Sequence, residues 1–358
     1  MSKFWSPQIH DLVPYTPGEQ PKVANLIKLN TNENPYPPAH GVQEVLNAFE
    51  TDRLRLYPDP DSSALINELA TTLGVPSDNL FVGNGSDEVL AHAFMAFFRQ
   101  EKPLVKPDIT YSFYDVYADL YGIDIKNQKL NNDFSISLEE YPLDNGGIIF
   151  ANPNAPTGLA LPLEQIKKLL DRNTETVVLV DEAYVDFGGE SAVELVNQYP
   201  NLVVTQTFSK SRSLAGLRIG YAVAQPHLID GLNRVKNSFN SYPMDMLAIA
   251  AGVASLKDST YFTQMCEKIM ATREHTRERL EKLGFKTLPS STNFLFAEHR
   301  FIEGGELMGY LRTKGVLVRH FSRPEIANFL RITIGTDAEM DALIEALQSH
   351  PDMVELDA

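Results

Sequence analysis

What the chain lacks narrows its nature first. Among its 358 residues there is a single cysteine, Cys266, so no disulfide can form within the chain and a reducing, cytoplasmic compartment is expected. No stretch approaches the roughly 20 apolar residues of a membrane-spanning helix. The opening MSKFWSPQIHDL also lacks the apolar core of a secretory signal. The eight histidines are scattered without paired ligand spacing, which argues against a zinc site. Positive charge is scarce: 31 Lys and Arg stand against 47 Asp and Glu, a formal net charge of -16. Polyanions are held by basic surfaces, so nucleic acid is set aside as a partner. Acidity does not exclude a local basic pocket for a small anion, which has to be argued from its own residues.

What is present describes an ordinary globular protein, with 43% hydrophobic and 22% charged residues. The length suits one large domain with a smaller companion. Residues 1–40 are rich in proline and asparagine (LVPYTPGEQP, LNTNENPYPP) and read as an extended arm rather than a packed element. Over 41–245, apolar strands alternate with amphipathic helices, as in NLFVG followed by SDEVLAHAFMAFFRQ. The runs at 177–180 and 202–205 lack two-residue alternation, the pattern of strands covered on both faces. The expectation is an α/β fold with a mostly parallel sheet flanked by helices. Residues 246–358 continue through a long helical stretch to strands near KTLPS, NFLFAEH, VLVRHF and FLRITIG and a last helix, DAEMDALIEALQSH, and are assigned to a smaller α+β domain.

Open parallel sheets place ligands beyond the carboxyl ends of their strands, and four such ends carry unusual residues. In FVGNGSDEVL a strand enters a Gly-rich turn and then a helix whose first N–H groups are free for an anion. Gly85, Ser86 and Asp87 form the candidate phosphate cradle; a plain helix cap by Ser86 or Asp87 is the competing reading. In IIFANPNAPTG a strand runs into a turn that proline and glycine alone explain, though an asparagine amide there could also touch a ligand.

In VVLVDEAYVDF, Asp181 directly follows four apolar residues. A carboxylate so placed loses water, and either its pKa rises or it finds a cation; the alternative is that it caps the next turn. A protonated pyridine nitrogen is such a cation, with Tyr184 three residues on to bond the ring's phenolic oxygen. In VVTQTFSKSRSLAGLRIG, Lys210 is flanked by Thr207, Ser209 and Ser211 and followed by Arg218. Hydroxyls and a guanidinium suit a phosphate dianion, and a lysine beside them can attack an aldehyde once positive surroundings and burial strip its proton. A solvated basic loop is the bland alternative.

A Gly-rich phosphate turn, an Asn-x-Pro-Thr-Gly-like turn, a strand-end Asp-x-x-Tyr and a Ser-Lys with arginine downstream occur here in the order of the fold-type I aminotransferases, which the chain resembles. LVPYTPGEQP, KLNTNENPYP, RLYPDPDSSAL and FLRITIG are similar to stretches of histidinol-phosphate aminotransferases, so the resemblance runs from about Leu12 to Thr336. It implies pyridoxal 5'-phosphate as cofactor, with Lys210 bonded to its aldehyde, Asp181 on its pyridine nitrogen and Tyr111 stacked on its ring. It places Ser86, Asp87, Thr207, Ser209 and Arg218 at the cofactor phosphate, and Tyr57 at the phosphate of the neighbouring subunit of a homodimer. Arg331 matches the arginine for the substrate's anionic group, with Arg319 as a second candidate and Asn32 near the mouth; cross-strand salt bridges are the alternative for the arginines. Many relatives carry asparagine directly before Pro-Thr-Gly, where this chain has Ala155. Asn154 either supplies the ring-oxygen contact from a shifted turn or leaves it missing. The implied reaction exchanges the amino group of histidinol phosphate with 2-oxoglutarate, giving imidazole acetol phosphate and glutamate in histidine biosynthesis. An aromatic amino-acid aminotransferase, a phosphothreonine-type decarboxylase and a cofactor-sensing regulator are the rivals; no DNA-binding module precedes Leu12.

Overall fold

Apolar runs that end abruptly at polar residues become strands buried along their whole length. The computed structural model describes residues 2–16, 18–21 and 26–353, so Pro17 of the LVPYTPGEQP stretch lies outside the described residues. Among these described residues twelve strands form two sheets. The larger is built from β2 (Leu80–Asn84), β3 (Leu104–Pro107), β4 (Ile125–Gln128), β5 (Gly147–Ala151), β6 (Val178–Asp181), β7 (Leu202–Thr207) and β8 (Ile219–Ala224), in the order β2-β8-β7-β6-β5-β3-β4. Neighbours from β4 to β7 run parallel; β8 pairs antiparallel with both β7 and β2, so the sheet is mostly parallel as expected.

Successive residues of the central strands point to opposite faces. Phe150, Val180 and Val204 join one buried cluster, while Ile149, Leu179 and Val203 join another on the far side. Each face is covered by helices. The first takes α1 (His40–Asn47), α2 (Ser63–Leu73) and α5 (Leu163–Arg172); the second takes α3 (Gly85–Ala93), α4 (Phe113–Tyr121) and α6 (Pro226–Phe239). Burial on both sides explains why these strands show no alternation.

The smaller sheet has the order β1-β11-β12-β10-β9, where β1 is Ile27–Leu29, β9 Phe285–Thr287, β10 Phe294–His299, β11 Val316–His320 and β12 Phe329–Thr333. Its core gathers residues of α8 (Ser259–Lys282), α9 (Gly304–Thr313) and α10 (Asp337–Gln348). Helix α10 starts at a capping box in which the Glu339 N–H donates to the Thr336 side chain and Glu339 accepts from the Thr336 N–H.

Two assignments differ from expectation. Residues 27–29 are not free arm: Ile27, Lys28 and Leu29 pair in parallel with Val316, Leu317 and Val318. The backbone hydrogen bonds of β11 outweigh the proline-rich flanks. The other is α7 (Met246–Lys257), which shows Ala248, Ala251 and Leu256 to the core of the larger sheet and packs against α1 and α2.

Candidate active site

Because β2, β5, β6 and β7 run the same way, their carboxyl ends meet along one edge. There a cleft of about 190 Å³ is walled on one side by Asp181, Tyr184, Thr207 and Lys210 of the larger sheet and on the other by Arg319 and Arg331 of the smaller. The N-terminal segment closes it with Tyr15, Gly18 and residues 30–32.

Asp181 is 4% exposed. Its Oδ2 accepts from the Tyr114 hydroxyl at 2.7 Å and its Oδ1 from the Thr205 hydroxyl at 3.1 Å. Both donors are neutral, and no lysine or arginine pairs with it among the described residues. Desolvation therefore wins over the hydrogen bonds and pushes its pKa up to about 6. The short helix beyond β6 is preceded by Tyr184 rather than Asp181, although the Ala183 N–H of the intervening turn also holds the Asp181 carboxylate. A buried carboxylate supplied with donors but no cation fits a cationic ring nitrogen brought by a ligand.

Lys210 sits just past β7. The Asn34 amide grips its loop by donating to the carbonyls of Lys210 (3.0 Å) and Ser211 (3.2 Å), and Ser211 donates to Asp186 (2.5 Å). The amine then reaches back over the Tyr184 ring, 5.7 Å from its centroid, and donates to the Thr31 carbonyl at 3.2 Å. It is thus a lysine pinned in a cleft rather than on a solvated loop.

The anion cradle is assembled by close backbone approach. Helix α3 opens at Gly85 without a side-chain cap, so its first N–H groups stay free and the capping reading of Ser86 and Asp87 fails. Gly85 adopts φ 78°, and a Cβ there would run into the Arg218 guanidinium. Gly220 has no room either, because a Cβ would strike the Ser86 amide nitrogen. Arg218 itself holds φ 53° and pairs with Asp87 at 2.7 Å. Tyr111 donates to the same carboxylate at 3.1 Å, while Ser209 and Thr207 line the opposite wall. Asp87 therefore orients Arg218 and Tyr111, and any anion would be met by N–H groups, hydroxyls and the guanidinium.

Arg331 and Arg319 face each other across β12 and β11. Neither has a carboxylate within ion-pairing distance among the described residues, so the salt-bridge alternative does not hold. Arg331 donates to the Asn30 carbonyl at 3.0 Å, its Nε is buried without a partner, and its guanidinium lies over Phe294 (5.4 Å) and Phe321 (5.7 Å). Burial pushes its pKa down, with the neighbouring Arg319 adding to the effect. Two adjacent uncompensated guanidinium groups call for an anion.

One candidate residue is not brought to this cleft, and another was expected at a partner's. Asn154 is buried with its amide spent locally: it donates to the Ile109 carbonyl and Thr157, and accepts from Thr110 at 2.8 Å. No group is left over for a ring oxygen, and Ala155 lines the cleft instead. Tyr57 is 81% exposed and stacks on Tyr242 at 4.8 Å, away from the cleft of its own chain. Conversely, Tyr15, Tyr114, Thr205 and Thr333 were not anticipated. Tyr15 packs at a tilt against Phe113, ring centroids 4.7 Å apart, and lines the cleft from the proline-rich segment. The others act on named site residues from distant strands and helices, a contact that no local motif signals.

Among the described residues no helix is long and apolar enough to cross a membrane. The chain is 59% identical over 349 residues to a histidinol-phosphate aminotransferase of Chromohalobacter salexigens, covering 98% of this chain and 99% of that one. It is 55% identical to histidinol-phosphate aminotransferase 1 of Hydrogenovibrio crunogenus, covering 97% and 98%. In fold it is similar to a Sinorhizobium meliloti histidinol-phosphate aminotransferase solved in complex with pyridoxal-5'-phosphate (TM-score 0.85, 24% identity, 98% and 99% covered). With residues 24–347 matching the family described as aminotransferase class I and II, and with a lysine, a strand-end aspartate and paired arginines gathered at one sheet edge, the chain belongs to that family.

Proposed function

We propose that the chain is a pyridoxal-phosphate-dependent transaminase that interconverts L-histidinol phosphate and 2-oxoglutarate with imidazole acetol phosphate and L-glutamate. The observation that carries this reading is Asp181, buried without a cation in the same cleft as Lys210 and the unpaired Arg331. Bound there, pyridoxal phosphate supplies an aldehyde that captures amines and an electron-poor ring that accepts the electron pair left when an α-proton departs.

Each residue then has a defined task. Asp181 keeps the ring nitrogen protonated by offering a charge that has no other partner. Tyr111 covers the ring and Tyr184 bonds its phenolic oxygen. The free N–H groups at Ser86 and Asp87, the hydroxyls of Thr207 and Ser209, and Arg218 hold the phosphate, with Gly85 making the turn. Lys210 would hold the aldehyde and, once a substrate amine takes its place, its freed amine would take the α-proton from the substrate carbon and deliver it to the cofactor's aldehyde carbon. Arg331, seconded by Arg319, binds the anionic end of either substrate, with Asn32 beside them. A further hollow of about 350 Å³ shares Tyr15, Ala155, Arg319 and Arg331 with the cleft, room for a phosphate-bearing side chain; its Lys106 and Arg323 are paired with Asp115 and Asp108, so its spare positive charge is that of the two shared arginines.

A homodimer suits the exposed Leu54, Leu56, Tyr57, Phe239 and Tyr242, apolar side chains that gain by burial, and would carry Tyr57 to the partner's phosphate site. The single cysteine, buried and with its thiol pKa pushed up to about 12 by desolvation, suits a reducing cytoplasm. We place the domains as an arm (1–40), a large cofactor-binding domain (41–245) and a small C-terminal domain (246–358), with α7 seated on the larger one.

Steady-state rates with histidinol phosphate, phenylalanine, tyrosine and aspartate, each with 2-oxoglutarate, test the reading. A clear preference for histidinol phosphate is expected. Preference for an aromatic donor, or carbon dioxide release without keto-acid consumption, would overturn it.

A further inference from the structure

The Tyr184 hydroxyl is tied to two buried groups, Asn32 and Thr333, and the proton order of the three can be deduced. Asn32 is 1% exposed, Thr333 is 2% exposed, and Asn32 holds φ 55°. Its backbone is clamped at both ends: the N–H donates to Thr333 Oγ1 at 3.0 Å and the carbonyl accepts from the Asn293 amide at 3.0 Å. Thr333 Oγ1 thus accepts one hydrogen and must place its own. Among the described residues its acceptor is Asn32 Oδ1 at 3.0 Å. A reversed Asn32 amide would set NH2 against Thr333 and strand the threonine hydrogen in a dry interior. The amide is therefore fixed with Nδ2 towards Tyr184 Oη, to which it donates at 2.9 Å. Tyr184 accepts that bond, and its own hydrogen stays available to the cleft that it lines.

We propose that Thr333 is a positioning residue: through Asn32 it compels Tyr184 to present a proton donor, not a lone pair, to the ligand oxygen it meets. Thr333 lies two residues beyond Arg331 on β12, hence on the same face of the strand. One short segment sets both the substrate's anion clamp and the direction of the Tyr184 proton. The inference rests on the cofactor reading above, since the oxygen concerned is the phenolic oxygen of pyridoxal phosphate. A donor at that oxygen stabilises the form in which it carries the bare negative charge, and so lowers the pH at which the bound cofactor loses its proton and changes colour.

The test is a visible-absorbance titration of the purified holoenzymes. Relative to wild type, Thr333→Val should raise the midpoint by about half to one pH unit, the worth of one neutral hydrogen bond. Tyr184→Phe should move it the same way, and Thr333→Ser, which restores the hydroxyl, should return it to the wild-type value. Thr333→Ala carries the same expectation should the valine variant prove insoluble. A normal wild-type titration with the Val or Ala variant unmoved would overturn the relay alone, whereas a wild type with no cofactor absorbance would overturn both the relay and the cofactor reading.

Discussion

Tyr114 donates its hydroxyl hydrogen to Oδ2 of Asp181 across 2.7 Å, with both side chains buried between the sheet and α4. The bond lowers the cost of burying the carboxylate without removing it, which is why the Asp181 pKa still stands near 6. A neutral donor orients the charge and leaves it unneutralised, the condition in which it holds a ligand cation most strongly.

Stability of the cofactor-free protein should follow that carboxylate. Its folded pKa of about 6 lies above the ordinary 3.8, so the penalty is absent below pH 4, grows between about 4 and 6, and is complete above. Asp181→Asn removes it, by about 3 kcal/mol at most, or roughly 3–5 °C in melting temperature for a chain of this size. Thermal melts of the two apoproteins should differ at pH 8 and converge near pH 4, while the variant loses transamination at every pH.

The glycines of the cradle offer a steric test. Gly220→Ala puts a methyl against the Ser86 amide nitrogen and the Gly85 backbone, so β8 and the start of α3 must separate. Overpacking of this kind costs about 1–3 kcal/mol. Denaturant unfolding should show that loss, and the variant should bind pyridoxal phosphate more weakly than wild type. Gly216→Ala, which meets nothing within contact range, serves as the control and should change neither.

The arginine pair separates binding from chemistry. Arg331→Met keeps the apolar stem but deletes a charge that has no counterion among the described residues. A charge-assisted hydrogen bond is worth about 1.5–3 kcal/mol, so KM for both histidinol phosphate and glutamate should rise about ten- to a hundredfold. Melting of the cofactor-free variant should be unchanged or higher, because a buried unpaired cation is gone. A variant that melts far lower with unaltered KM would mean that Arg331 serves the fold rather than the substrate.

The strand ends were readable because an abrupt change from apolar to polar marks them: Asp181 closes VVLV, and Thr207 opens the segment leading to Lys210. Both faces of the larger sheet were foreseen from the missing alternation at 177–180 and 202–205. Strand β4 (IKNQ) escaped notice because it is a half-exposed edge, too polar to stand out. Strand β1 escaped because its partner β11 lies nearly 300 residues away, and pairing at such range leaves no local trace. The same holds for Tyr114 on Asp181, 67 residues apart, and for Thr333 on Asn32, 301 residues apart. The choice between the two readings of Asn154 was not legible for the opposite reason: its motif is local, but Ile109, Thr110 and Thr157 consume its amide in three dimensions.

Borohydride reduction of the purified protein followed by peptide mass analysis asks most directly whether the amine in this cleft is the one that meets an aldehyde. The peptide containing Lys210 should carry the mass of reduced pyridoxal phosphate, and Lys210→Ala should yield no labelled peptide and no transamination. A label on another lysine, or an active and labelled Lys210→Ala protein, would contradict the account.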